Sequence, residues 1–405
     1  MRSVCVIGAG LAGLAAADAL AQAGIDVTVL EQRDRVGGRV WSLPAEGGAV
    51  IEMGAEFVTE GYTVVPELVA RLGLTLAPMG MSFSRREPRG GIGVDAPDLD
   101  ASLRTVETAL AAGAGAGVTV DALLAGLDLH PGARELIACR IQVSYAHETS
   151  RLAAGAVRDV GHLFREGEAR RVAGGNQQIA ERLAGRLRVL TSTLARTVRA
   201  MGGGFSVNGE LTADAVVVAV PAFAVNRITF DPPLPDWKRE AQDAVTYGQA
   251  AKLAVPLAAE AGPSSVISVP EHFWTWTAAG PGGRVVPLVT AFAGSATALD
   301  AVRVDQGAAG YLARVAALRP DLALREEEAV LSTWPEGAYS AREVGREADL
   351  DKRLAHPLGR IAFAGEHTEP VWYATMEGAL RSGTRAAGEL LATAADPAQR
   401  TGSPR

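Results

Sequence analysis

Residues 3–31 read SVCVIGAGLAGLAAADALAQAGIDVTVLE, and they contain a complete βαβ unit. SVCVI is a short β-rich apolar run, LAAADALAQAG is a small-residue helix ending at Gly24, and IDVTVLE is a second strand that stops on the acid Glu31. Gly8, Gly10 and Gly13 stand between the first strand and the helix at G-x-G-x-x-G spacing. The first glycine permits the turn, the second lets a pyrophosphate approach the backbone, and the third lets the helix pack closely. Leu11 and Ala12 lie at the helix N-terminus, whose unpaired N–H groups favour phosphate. Glu31 follows at about the 20-residue interval expected of a carboxylate that binds a ribose. A chance cluster of glycines lacks this register of strand, helix and terminal acid. The reading is an α/β, Rossmann-like dinucleotide domain.

The fingerprint serves nicotinamide and flavin dinucleotides alike, and the next segment separates them. QRDRVGGRVWS (32–42) brings Gln32, Arg33, a second glycine pair at Gly37 and Gly38, and Arg39. The run Glu31, Arg33, Gly37, Gly38, Arg39 resembles the E-x-R-x-x-x-G-G-R segment of the flavin-containing amine oxidase family. The alternative is a surface loop with solvated arginines.

The resemblance recurs along most of the chain. IEMGAEFV (51–58) is similar to the family's segment at the flavin ring, which implies cofactor contacts for Met53, Gly54, Ala55 and Glu56. VAGGNQQIAERLAG (172–185) is similar to its G-G-x-x-x-[IL] helix start. Residues 189–221, with Leu194 and Pro221, resemble its return to the cofactor domain, and end in a run apolar enough for a buried parallel strand. RIAFAGEHT (360–368) resembles its last strand and FAD-contacting turn, with Gly365 and Glu366. WYATMEGALRSGTRAA (372–387) follows, and the family directs this helix at the flavin, so Thr375 and Met376 are expected to favour the reduced, anionic ring.

The resemblance implies non-covalent FAD, because Ala338 stands where some members carry a flavin-linked cysteine. It also implies an oxidase that takes hydride from the C–H beside an amine nitrogen, leaves an imine for hydrolysis, and returns electrons to O2 as peroxide. Lys252 in YGQAAKLAV (247–255) matches the lysine that holds a water near flavin N5; the alternative is an edge-strand lysine facing solvent. Tyr339, in TWPEGAYS (333–340), takes the place of one cage aromatic. Thr375 replaces the second, so a standard monoamine oxidase cage is not expected. Substrate contacts are read at Glu56 (a carboxylate for a second, cationic amine), Phe57, Tyr373, Trp274 and Trp276, with the tryptophans more readily explained by packing. Arg85 and Arg86 read as a solvated loop rather than a carboxylate site, and His367 lies between cofactor packing and chemistry.

Composition agrees with a globular enzyme. The 405 residues are 48% apolar and 21% charged, with 46 glycines and a net charge of −7, which leaves no basic footprint for nucleic acid. Cys5 and Cys139 give neither a disulfide framework nor a metal spacing, and no metal is expected. No leader or membrane-spanning pattern is read, so a cytoplasmic protein is expected, with oligomeric state undetermined. The matches divide the chain into an FAD domain (1–75, 172–248, 336–394) interleaved with a mixed α+β substrate domain (76–171, 249–335), and a disordered tail at 395–405. Three rivals to the amine oxidase remain at this level: a flavin desaturase or oxidase acting on C–C bonds of a secondary metabolite, an NAD(P)H-dependent hydroxylase, and a non-catalytic FAD scaffold.

Overall fold

The computed structural model describes residues 1–395 apart from 47–48, 158–159, 166, 281–282, 284, 335–336 and 347–348. The Ser3–Ile7 strand lies at the centre of a five-stranded parallel sheet, between Ala215–Val218 and Asp26–Leu30, with Ile361–Phe363 and Arg188–Leu190 outside them. Both faces of this sheet are covered, as its unbroken apolar strands require. Val4 and Val6 point into one core with the helices Leu11–Gln22 and Met376–Ala395. Cys5 and Ile7, one residue out of phase, point into the other, beneath a four-stranded sheet that includes Thr197–Met201 and Gly204–Val207.

The closing helix is seated by its small residues. A methyl group at Gly383 would collide with the carbonyl oxygen of Ala12, so the two helices meet backbone to backbone. That contact places Met376, at the start of one helix, on the same side of the sheet as the Gly8–Gly13 turn.

A second sheet has six strands, ordered Val330–Thr333, Ala250–Pro256, Val285–Gly294, Phe273–Ala279, Ser264–Ser268 and Glu87–Arg89. The helix Gly307–Leu318 covers one face through Leu312, Val315 and Leu318. On the other face Trp274, Trp276 and Ile267 pack with Leu136, Cys139 and Val143 of the Pro131–Tyr145 helix. The Ala250–Pro256 strand is interior, with Lys252 opposite Phe292 on one side and Ser332 on the other. The alternative for Lys252, an edge-strand residue facing solvent, does not hold: it has a strand on each side and is 6% exposed.

The Met376–Ala395 helix takes in the first residue of the expected disordered tail, and 396–405 lie outside the described residues. Among the described residues no helix is long and apolar enough to cross a membrane.

Candidate active site

The three fingerprint glycines occupy three different environments. Gly8 has φ +105°, and Gly13 faces its carbonyl so closely that a Cβ would collide with it. Gly10 has ordinary extended backbone, and a Cβ there would meet no protein atom within 4 Å. Gly37 donates to the Ala9 carbonyl at 2.8 Å, and Gly38, at φ +59°, stands against the Gly10 Cα. The Leu11–Gln22 helix has no side-chain cap, so its first N–H groups open toward that space. Glu31 is buried, accepting from Ala9 N at 2.9 Å and Arg33 N at 2.9 Å. A glycine-walled space, an uncapped helix start and a fixed carboxylate fit a dinucleotide's pyrophosphate and ribose. Leu194 is exposed beside this end, since Thr193 N donates to the Glu31 carbonyl at 2.8 Å. Gln32 is exposed too, and Pro221 starts the Ala222–Val225 helix after the Ala215–Val218 strand.

Glu366 ties three distant segments together. Its Oε1 accepts from Arg39 Nη1 at 2.9 Å and Ser340 N at 3.2 Å; its Oε2 accepts from Ser340 Oγ at 2.6 Å and Ala374 N at 2.7 Å. Burial pushes its pKa up, but Arg39, His367 and these donors outweigh burial and hold it below the usual carboxylate range. Arg39 also donates to the Ala338 carbonyl at 3.0 Å. Gly365, at φ +147°, donates to the buried hydroxyl of Ser382 at 3.0 Å. His367 is buried, its pKa pushed down to about 4 by burial, and its Nδ1 has no partner among the described residues.

Lys252 Nζ donates to Glu56 Oε2 at 2.7 Å and to the Gly54 carbonyl at 3.2 Å. Glu56 Oε1 accepts from Arg171 Nη1 at 3.3 Å and Trp276 Nε1 at 3.2 Å. Glu56, expected to hold a substrate ammonium, already has three protein donors of the kind a buried carboxylate needs. Gly54 lies against the Arg39 carbonyl with no room for a Cβ, and Ala55 N donates to that carbonyl at 3.1 Å. Met53 accepts from Ser332 Oγ at 2.8 Å and Trp334 Nε1 at 3.0 Å. Asn176, which the sequence did not single out, is fully buried and donates to the Ala55 and Glu56 carbonyls at 3.1 and 2.7 Å, pinning this segment.

Thr375 is the cap of the closing helix: its hydroxyl donates to the Trp372 carbonyl at 2.6 Å and accepts from Gly378 N at 3.0 Å. Its hydroxyl is thus engaged by the helix end. Tyr339 donates from its hydroxyl to the Ser144 carbonyl at 3.1 Å, and Tyr373 donates to the Ala156 carbonyl at 3.1 Å beneath the Arg342 guanidinium. Trp274 and Trp276 are stacked at 4.2 Å and buried, with Phe57 at 5.5 and 5.3 Å from them. Packing is thus their first role. Arg86, expected in a solvated loop, is 8% exposed and lies 3.4 Å from the Trp274 ring.

A parallel sheet with a glycine-walled dinucleotide turn, together with a buried lysine held against Gly54 and Glu56, fits a flavoprotein of the oxidoreductase class. Residues 11–122 and 134–391 match the flavin containing amine oxidoreductases, and the chain belongs to that family. FAD is its cofactor, and it is a flavin-dependent amine oxidase. It is 30% identical over 457 residues to a Mycobacterium tuberculosis (strain ATCC 25618 / H37Rv) chain with the provisional name flavin-containing monoamine oxidase AofH, covering 96% of each chain. It is 29% identical over 469 residues to putrescine oxidase of Kocuria rosea, covering 96% of this chain and 95% of that one. It also superposes on a solved putrescine oxidase bound to putrescine with a TM-score of 0.81 and 25% identity, over 96% of this chain and 99% of that one.

Proposed function

We propose that this chain oxidises a small amine at the carbon bearing nitrogen and passes the electrons to O2, forming peroxide, with FAD held non-covalently. The bound FAD supplies the two-electron acceptor for that C–H bond. The protein supplies binding, orientation and field. The open face of Gly10 and the uncapped start of the Leu11–Gln22 helix hold the pyrophosphate, and Glu31 holds the ribose. Arg39 and Glu366 fix the turn beside it, and the start of the Met376–Ala395 helix turns its dipole toward charge that develops on reduction. Ala338, beside Arg39, offers no thiol for a covalent link.

The observation that carries the reading is the Lys252 ammonium, buried and held 3.2 Å from the Gly54 carbonyl in the segment proposed to face the flavin. Two of its three N–H donors serve Glu56 and Gly54; the third is available to orient a water or oxygen. The parallel-sheet part of the chain carries the cofactor and the six-stranded part the substrate, with Phe57, Tyr339 and Tyr373 around the amine.

The test is anaerobic mixing of the yellow protein with a panel of primary amines, polyamines and amino acids, following loss of oxidised-flavin absorbance. Bleaching by an amine, reversed by air with one peroxide per turnover, is the expected result. Bleaching by NADPH alone, or no bleaching by any compound, overturns it.

A further inference from the structure

Both oxygens of the Glu56 carboxylate are taken up by protein donors, and the donors come from three separate strands. Oε2 accepts from Lys252 of the Ala250–Pro256 strand at 2.7 Å. Oε1 accepts from Trp276 of Phe273–Ala279 at 3.2 Å and from Arg171 of Glu168–Val172 at 3.3 Å. The side chains of Glu56, Lys252 and Arg171 are all buried. The Glu56 backbone is fixed as well, its carbonyl accepting from Asn176 Nδ2 at 2.7 Å. Among the described residues no other carboxylate bonds Lys252.

This arrangement fixes the direction of the lysine's remaining donor. An ammonium is tetrahedral and carries three N–H groups on a flexible four-carbon stem. Glu56 takes one and the Gly54 carbonyl, at 3.2 Å, takes a second, so the third has a single direction left. With the carboxylate gone, only Gly54 holds the head group, and it turns about that one bond. A glutamine does not replace the carboxylate, because an amide accepts on one side and donates on the other. Either way round, its NH2 group meets Lys252 or the Arg171 and Trp276 donors. Gly54 and Glu56 also belong to one short stretch, so Lys252 is oriented by the loop proposed to face the flavin, although its own strand lies in the other sheet.

We propose that Glu56 is a positioning residue of the oxygen half-reaction, acting through Lys252, whose third N–H it aims, and not on the amine. This rests on the reading of Lys252 given above. In that half-reaction O2 takes up two electrons from the reduced cofactor and two protons, and leaves as peroxide. Glu56 touches neither partner. Its charge and both of its oxygens serve to hold one donor still.

The lysines of the chain are Lys238, Lys252 and Lys352, so NMR of holoenzyme isotope-labelled at lysine Cε resolves them, and Lys252→Met identifies the signal of interest. In Glu56→Gln that signal is expected to move or broaden while the other two stay. A Lys252 signal at its wild-type position overturns the proposal. The second measurement reduces the flavin by light, with no amine present, and mixes it with O2. E56Q is expected to reoxidise about tenfold more slowly, the value of a hydrogen bond to a charged group. The double variant E56Q/K252M is expected to be no slower than K252M, since a residue acting only through Lys252 has nothing left to act on. Additive slowing overturns the proposal, as does a weaker affinity for amine in E56Q with reoxidation at the wild-type rate. Glu56→Asp keeps the charge and both acceptors but falls one methylene short. It carries the test if E56Q does not load FAD, with the same signal moved and a smaller slowing. K252M reoxidising at the wild-type rate sinks the reading of Lys252 and the proposal with it, whereas an unmoved signal in E56Q sinks the positioning alone.

Discussion

Lys252 Nζ and Glu56 Oε2 are 2.7 Å apart, on a strand of one sheet and a loop of the other half of the fold, 196 residues apart in the chain. Both side chains are almost wholly buried, so the pair is held by its surroundings and not by solvent. Arg171 and Trp276 complete the carboxylate's partners, which leaves the lysine placed but not neutralised by contact with Glu56 alone. Lys252→Met is expected to slow flavin reoxidation by O2 by about tenfold or more, and to slow reduction by substrate less. Stopped-flow measurement of the two half-reactions decides this. Equal slowing of both removes Lys252 from the oxygen reaction.

Gly10 and Gly13 belong to one motif and are expected to fail in different ways. A Cβ at Gly10 meets no protein atom within 4 Å and suits the local backbone, so Gly10→Val should fold with an almost unchanged apoprotein Tm but hold no FAD. A side chain at Gly13 collides with the Gly8 carbonyl, so Gly13→Val should not fold at all. The ratio of flavin to protein absorbance, read beside circular dichroism, separates the two. A yellow, loaded G10V protein would falsify the assignment of that space to the pyrophosphate.

The parallel sheet was legible because its strands are short apolar runs punctuated by glycine, and both the Ser3–Ile7 and Asp26–Leu30 strands lie where the pattern puts them. Glu31 was legible for the same reason: its partners Ala9 and Arg33 are local. Arg86 was not. It stands in SFSRREPRG, a polar stretch that reads as a loop, and its burial is imposed by Trp274 and the Pro131–Tyr145 helix from far along the chain. Asn176 and Arg140 were missed likewise, since a buried polar side chain is recognised only by partners that folding brings to it.

Glu52 carries a pH dependence of stability. Its carboxyl is buried, accepting from Ser42 Oγ and Asn176 N, each at 2.7 Å, and burial pushes its pKa up to about 7 from 4.5. The folded state therefore holds a proton that the unfolded state releases between these values, and stability falls as pH rises from 4.5 to about 7. The loss is about 3 kcal/mol once both states are ionised. Glu52→Gln keeps the acceptor and removes the titration, so the stability of E52Q relative to wild type should rise between pH 5 and pH 8, measured by urea unfolding. A difference independent of pH sinks the argument.

Glu377 stands in the first turn of the Met376–Ala395 helix, but its backbone partners lie elsewhere. Its Oε1 accepts from Thr63 N at 3.2 Å and Val64 N at 3.0 Å, and its Oε2 from Val65 N at 2.9 Å, so it caps the Val64–Arg71 helix from 312 or more residues away. Arg381 donates to the same carboxylate at 2.9 Å. One side chain thus fastens the closing helix to the rest of the cofactor half. Glu377→Ala leaves three backbone donors without this acceptor at a helix start where Val65 is buried, Val64 half-buried and Thr63 exposed, which costs about 1–3 kcal/mol. Hydrogen exchange followed by mass spectrometry should show faster exchange in peptides spanning 63–71 together with a lower Tm. If those peptides exchange at the wild-type rate, the cap is not what holds that helix.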